Sequence, residues 1–366
     1  MTQLEIRKPF QYDTIIKKRK LFFLLVTGLS IIALISLLLA VCLGAVQISP
    51  SESYRIILYK IFALNLGDIT RQASPSHMDI IWQIRFPRVL MSAIVGAGLA
   101  LCGTVMQAAV QNPLAEPSIL GISAGAVLGA TFSILIGGSS LQFFGLGTAF
   151  WAFAGALAAS FFVLVLSGIG SQMSTVKMIL AGAIASALFI AISNCIVYMS
   201  NDAEGMRTVA FWTMGSLAGA KWNTLALPTI GITLSCIFFL FQPGILNTLL
   251  LGEETAITLG VDLAKVRRLY MLITALITGI IVSACGIFGF VGLIIPHIVR
   301  GLVGSDHRRL LPVVILVGAI FLIWADVLTR VILKSGELPI GIITSLVGAP
   351  FFMYLLFKQS FGFESK

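Results

Sequence analysis

Residues 84–130 read IRFPRVLMSAIVGAGLALCGTVMQAAVQNPLAEPSILGISAGAVLGA. Arg85 and Arg88 bracket Pro87, and from Val89 to Ala115 no Asp, Glu, Lys or Arg occurs. A bilayer crossing takes about 20 apolar residues, so this run predicts one membrane helix. Gly96, Ala100 and Gly103, with Ala97 and Gly98, recur at helical spacing. Small residues let neighbouring backbones approach closely, which is how helices associate where lipid removes the hydrophobic drive. The run ends at Asn112-Pro113-Leu114-Ala115-Glu116-Pro117, a polar break between two apolar stretches. A basic entrance, a helix packed on all sides and a proline-punctuated exit predict the central helix of a transport bundle.

The rest of the chain fits a membrane setting. Of its 366 residues 58% are hydrophobic and 11% charged, with a mean hydropathy of +1.02. A soluble domain carries about a quarter charged residues, so the composition is that of an integral membrane protein. The net charge of +9 does not point to nucleic acid, because the basic residues sit at segment ends and form no continuous basic face. Cys42, Cys102, Cys195, Cys236 and Cys285 all lie in apolar runs without a C-x-x-C pair, and read as small buried hydrophobes. Lys17-Lys18-Arg19-Lys20 followed by an apolar run to Val46 superficially looks like a signal peptide. That run is longer than a cleavable core of about 7–15 residues, so it is read as an uncleaved first span. Residues 1–20 then form a cytoplasmic basic segment and 21–366 a single membrane domain.

The charge-free runs are 21–51, 89–115, 117–176, 178–201, 222–252, 269–299, 310–325 and 338–357. The run 117–176 must turn back once, at Gly137-Gly138-Ser139-Ser140. The run from Leu269 meets the breaker Gly286–Gly292, continues to Val303 and holds two spans. The expected fold is therefore an all-α integral membrane protein of about ten transmembrane helices. An even number puts both termini on one side. With the N-terminus inside, fifteen Lys and Arg fall on inner segments and nine on outer ones, which favours N-in and C-in. Residues 47–83 read as an outer loop, 243–268 as an inner loop, and 202–222 as a short outer helix. Cys102-Gly103, Pro113 and Gly121 reappear at an offset of 183 as Cys285-Gly286, Pro296 and Gly304, the pattern of an inverted repeat.

No G-x-x-x-x-G-K-[ST] phosphate loop occurs, and neither paired aspartates nor a serine with its base lies mid-span, so no catalytic residue is assigned. Secondary transporters keep ionisable groups near mid-membrane; here Asp326, Arg330 and His297 are the exceptions, at span ends or breaks. Asp326 and Arg330 stand four apart on a helix, where they can pair. His297 beside Pro296 reads as a structural histidine, and no metal site is assigned. The bundle looks like a passive pathway driven by another chain. Leu250–Val261 of the inner loop forms a short amphipathic helix bounded by glycines, with Glu253 and Glu254 in its first turn where the helix dipole favours acids.

Residues 84–130, the loop 251–262, and the blocks FGFVGLIIPHIVR (288–300), DHRRLLP (306–312) and ELPIGIITSLVGAPFF (337–352) closely resemble the FecCD family. These are permease subunits of binding-protein-dependent ABC importers for ferric siderophores, haem and vitamin B12. The resemblance implies the type II importer permease architecture and a pairing with a second permease subunit, identical or paralogous. Two cytoplasmic ATPase subunits would dock below and a substrate-binding protein above. ATP would be used by those subunits, with no cofactor in this chain. It further implies that Arg85, Arg88 and Arg330 pair with acidic residues of the binding protein. Gly252, Glu253, Glu254, Leu259, Gly260 and Val261 would couple to the ATPase. Asn112 and Leu114, with Thr175 and Val176, would form an inner gate. The expected function is import of a bulky metal chelate, first a ferric siderophore, across a bacterial cell membrane. Haem or cobalamin import and ion-coupled secondary transport are the alternatives.

Overall fold

The computed structural model describes residues 12–64, 74–137, 147–169, 175–251, 253–258, 260–333 and 336–360. Every regular element among them is helical. Seven helices are long and apolar enough to cross a membrane, and the shorter apolar helices Ile122–Gly137, Val291–Val303 and Ile340–Leu355 accompany them.

Helix α1 (Tyr12–Cys42) starts within the basic segment, so Lys17 to Lys20 ride on its first turns. The expected outer loop 47–83 instead contains a helix, α2 (Pro50–Phe62). The local sequence explains this. Ser49 caps the N-terminus by accepting from the Glu52 N–H, Pro50 occupies the first turn, and Glu52 sits where the dipole favours an acid. The central helix α3 (Pro75–Val110) begins earlier than its charge-free run and passes through one π-helical stretch, Ile80–Arg85. The 117–176 run folds as α4 (Ile122–Phe132), prolonged by a π turn to Gly137, and α5 (Gly147–Gly168). Of the expected reversal, Gly138, Ser139 and Ser140 lie outside the described residues. Then come α6 (Thr175–Met199) and the short helix α7 (Ala203–Thr213), capped by Asp202 as the 202–222 segment predicted. They are followed by α8 (Trp222–Leu240), α9 (Pro243–Leu250) and α10 (Glu253–Thr258). The inner helix is thus shorter than Leu250–Val261 and is preceded by a separate one. The expected break at Gly286 divides α11 (Leu263–Cys285) from α12 (Val291–Val303). The chain ends in α13 (His307–Val331) and α14 (Ile340–Ser360).

Helix α3 is the axis of this bundle. In its most apolar window 83% of residues are buried, against 17% for the first span Arg19–Cys42. It packs against α13, α11, α12, α8 and α1. Two glycine pairs set the closest approaches. A Cβ on Gly96 would overlap the Gly318 carbonyl of α13, and one on Gly103 the Gly292 carbonyl of α12. Around these contacts Val95, Leu99, Ala100, Ile281, Val291, Ile295 and Val314 form the main core. A second core joins α4, α5 and α6 through Ala126, Ala152, Ala156 and Ala185.

The suggested repeat fails on geometry. Pro113 lies in the turn after α3, whereas Pro296 is inside α12, and Cys102 is mid-helix while Cys285 ends one. The five cysteines are all free thiols.

Candidate functional site

Polar residues gather at the two ends of α3. Around Pro87, in the first half of the helix, the structure brings Arg85, Arg88 and Arg330 together, at 4%, 4% and 5% exposure. Helix α1 has no basic residue in its last turn, so its final carbonyls need donors from elsewhere. Arg85 supplies them from α3: Nη1 donates to the carbonyls of Cys42 (2.9 Å) and Val41 (3.3 Å), and Nη2 to that of Val46. Arg330 supplies the others from α13, donating to Leu43 (2.9 Å) and Ala40 (3.3 Å). Cations there also oppose the negative end of the helix dipole.

Arg88 completes an ionic knot. Its Nε donates to Asp326 Oδ1 at 2.8 Å, its Nη1 to Glu337 Oε2 at 2.7 Å, and its Nη2 to Thr329 Oγ1 at 3.3 Å. Asp326, with no exposed surface, also lies 3.2 Å from Arg330 Nη2. That distance makes an ion pair without hydrogen-bond alignment, and it realises the four-residue spacing seen in the sequence. Glu337, at 45% side-chain exposure, is the outward member of the knot. All three guanidiniums are thus engaged inside the chain. Beside the knot Trp82, Phe86 and Trp222 cluster, and the Trp222 indole N–H donates to the Trp82 carbonyl at 2.8 Å.

At the far end of α3, Arg267 of α11 donates from Nε to the Ala109 carbonyl at 3.0 Å, and Gln111 Nε2 donates to the Leu249 carbonyl at 2.6 Å. Asn247 of α9 ties this end to α13. Its Oδ1 accepts from the His307 backbone N–H (2.9 Å) and from Nδ1 (2.8 Å), while its Nδ2 donates to Asp306 Oδ1 at 2.7 Å. Of the expected coupling residues, Gly252 and Leu259 lie outside the described residues, as do the side chains of Glu253 and Glu254. The backbone of 253–258 is helical. It is closed by Gly260 at φ +80° and by the Val261 N–H donating to the Ala256 carbonyl at 3.1 Å, a left-handed glycine cap.

Of the expected gate, Asn112 Oδ1 accepts from the Leu114 N–H at 2.9 Å. Leu114 and Val176 are 53% and 74% exposed, and the Thr175 side chain lies outside the described residues. His297 is half-buried with its ring against Phe351.

Sequence reasoning missed Glu116, which sits between α3 and α4. Burial pushes its carboxyl up to about 7, although the Phe290 backbone N–H and the Ser118 hydroxyl oppose the shift by favouring the charged form. The folded chain therefore retains a proton that the unfolded chain releases from its ordinary value of 4.5 upward. Stability should fall as pH rises between 4.5 and about 7 and level off above. In Glu116→Gln that slope should vanish, as read by thermal unfolding of the detergent-solubilised protein on both sides of the window. An unchanged slope would place the titration elsewhere.

Comparison with known proteins agrees with this architecture. The sequence profile of the FecCD transport family matches residues 32–358. The hemin transport system permease protein HmuU of Yersinia pestis is 38% identical over 328 residues, covering 86% of this chain and 98% of the relative. The vitamin B12 import system permease protein BtuC of Citrobacter koseri is 37% identical, covering 91% and 94%. A solved structure described as an inward-facing metal-chelate type ABC transporter superposes with a TM-score of 0.75 at 33% identity, over 91% of this chain and 99% of that one. These relatives are transport permeases and not enzymes. The chain is a multi-pass membrane permease subunit and belongs to the FecCD transport family.

Proposed function

We propose that the chain forms one wall of an ATP-driven importer, seated in a bacterial plasma membrane with both termini inside. A soluble carrier would deliver a bulky metal chelate, in the first instance a ferric siderophore, to the end bearing Arg85, Arg88 and Arg330. In this reading the three arginines build the mouth on which the carrier sits, by fixing the end of α1 to α3 and α13. Two ATPase subunits would press on the segment 252–261, with Gly252, Glu253, Glu254, Leu259, Gly260 and Val261 in their groove. The tie from Asn247 to His307 would carry that movement into α13. A second permease subunit would face this one, and Leu114 and Val176, exposed on the single chain, would close the inner end with Asn112 and Thr175.

The observation that carries the reading is the engagement of Asp326. This buried carboxylate is held between two guanidiniums, so its charge is already matched inside the chain, which supports a pathway driven by a separate motor. The ion-coupled alternative has one foothold, the raised carboxyl of Glu116. Haem and cobalamin stand beside the siderophore on equal terms, since HmuU and BtuC carry those cargoes in their names.

Reconstitution tests the proposal. Proteoliposomes holding this chain, its ATPase and its carrier should accumulate cargo only while ATP is hydrolysed, and omission of any component should abolish uptake. Mass spectrometry of ligand retained by the carrier identifies the chelate. Uptake by the chain alone, following an ion gradient and lost in Glu116→Gln, would overturn the proposal in favour of the alternative.

A further inference from the structure

A cleft of about 350 Å³ opens between the end of α3 and the end of α12, lined by Gln107, Gln111, Asn112, Leu250, Arg300 and Ser305. Arg300 is half-buried. The other arginines of the bundle interior, Arg85, Arg88, Arg267 and Arg330, each donate to a carbonyl or a carboxylate. The Arg300 guanidinium makes no hydrogen bond or ion pair among the described residues. A recessed cation without a counter-group is costly, and a guanidinium fork matches carboxylate and phosphate oxygens.

The second observation is Gln107, 2% exposed. Its Nε2 donates to the Gly292 carbonyl at 3.4 Å, and its buried Oε1 meets no donor. Of the other amides on the cleft, Gln111 Nε2 donates to the Leu249 carbonyl and Asn112 Oδ1 accepts from the Leu114 N–H. The cleft therefore offers a cation and the exposed Ser305 hydroxyl, with an orphaned acceptor enclosed in its wall.

We infer that this cleft is a binding recess for an anionic arm of the cargo, a carboxylate or phosphate on Arg300 with a neighbouring hydroxyl or amide N–H donating to Gln107 Oε1 once that amide turns into the cleft. Its volume of about 350 Å³ suits one arm of a bulky chelate. It adjoins the turn at Asn112, so an arm held there sits at the proposed inner gate. The inference rests on the importer reading only in naming the cargo as the source of the anion.

The test uses the importer assembled from this chain and its ATPase subunits, without requiring it to transport. Phenylglyoxal modifies accessible arginines, and peptide mapping by mass spectrometry reads Arg300 against the engaged, buried Arg267. Arg300 should react and Arg267 should not. Citrate, which carries both carboxylates and a hydroxyl, should protect Arg300. Glycerol should not. In Gln107→Leu the citrate concentration for half-protection should rise about tenfold. No protection by citrate in the wild-type complex overturns the recess. Equal protection by inorganic phosphate, unaffected by Gln107→Leu, assigns a small free anion and overturns the cargo arm. An Arg300 that reacts only after the ATPase subunits are stripped away marks a subunit contact and overturns the proposal as well. The uptake assay above judges the importer reading separately.

Discussion

Asp326→Ala should destabilise the folded bundle by about 3–5 kcal/mol, the range seen when one partner of a buried ion pair is removed. Asp326 is the shared counter-charge of Arg88 and Arg330. Its loss leaves two guanidiniums together inside the protein, with Glu337 near one of them and half in solvent. The damage should also reach α1, because Arg330 holds the Ala40 and Leu43 carbonyls from a position that Asp326 helps to fix. Thermal unfolding in detergent would report the loss, and proteolysis near residues 42–48 would report a freed helix end. Asp326→Asn keeps an acceptor for Arg88 Nε and should lose less. Glu337→Ala, which removes the half-exposed partner, should cost about 1 kcal/mol or less. If Asp326→Ala and Glu337→Ala proved equally mild, the knot would have no structural weight.

Gly103→Val should abolish recovery of monodisperse protein. A Cβ at this position overlaps the Gly292 carbonyl together with its carbon and Cα. Overpacking of side chains in a core typically costs about 1–3 kcal/mol because the neighbours adjust. Here the obstacle is backbone on both sides, so α12 must leave α3, taking with it the Gln107 bond to Gly292. Size-exclusion chromatography of the solubilised variant checks this. Gly28→Ala in α1 is the control, since nothing lies within 4 Å of its Cβ, and it should gain up to about 1 kcal/mol from helix propensity. A well-behaved Gly103→Val protein would mean that α3 and α12 are not in backbone contact.

These two outcomes also mark what could be read before the structure. The small residues of α3 announced close packing on several sides, and the structure seats α12 and α13 on Gly103 and Gly96. The break at Gly286, the helix after Asp202 and the pairing of Asp326 with Arg330 were equally visible, because each depends on residues a few positions apart. The arginines were harder to place. A guanidinium in a sequence reads as an outward charge, and no local spacing says that the open carbonyls of Ala40 to Cys42 will come to rest beside residues 85 and 330. Helix α2 was hidden for another reason: its cap, Ser49-Pro50 with Glu52, was legible, but so was the turn that the same residues favour. Glu116 and Arg300 gained their character only from burial, which a sequence does not display.

The bond from Asn247 to His307 has a mechanical corollary. His307 opens α13 and Arg330 lies near its other end. At about 1.5 Å of rise per residue these points are roughly 35 Å apart on a single rod. Gly318, in backbone contact with Gly96 near the middle of that rod, is placed as a fulcrum. Were the helix to tip as one body beyond the bend that Pro312 permits, a shift of the loop-side tip would swing the knot-side tip the opposite way, and a lever would serve in place of a relay.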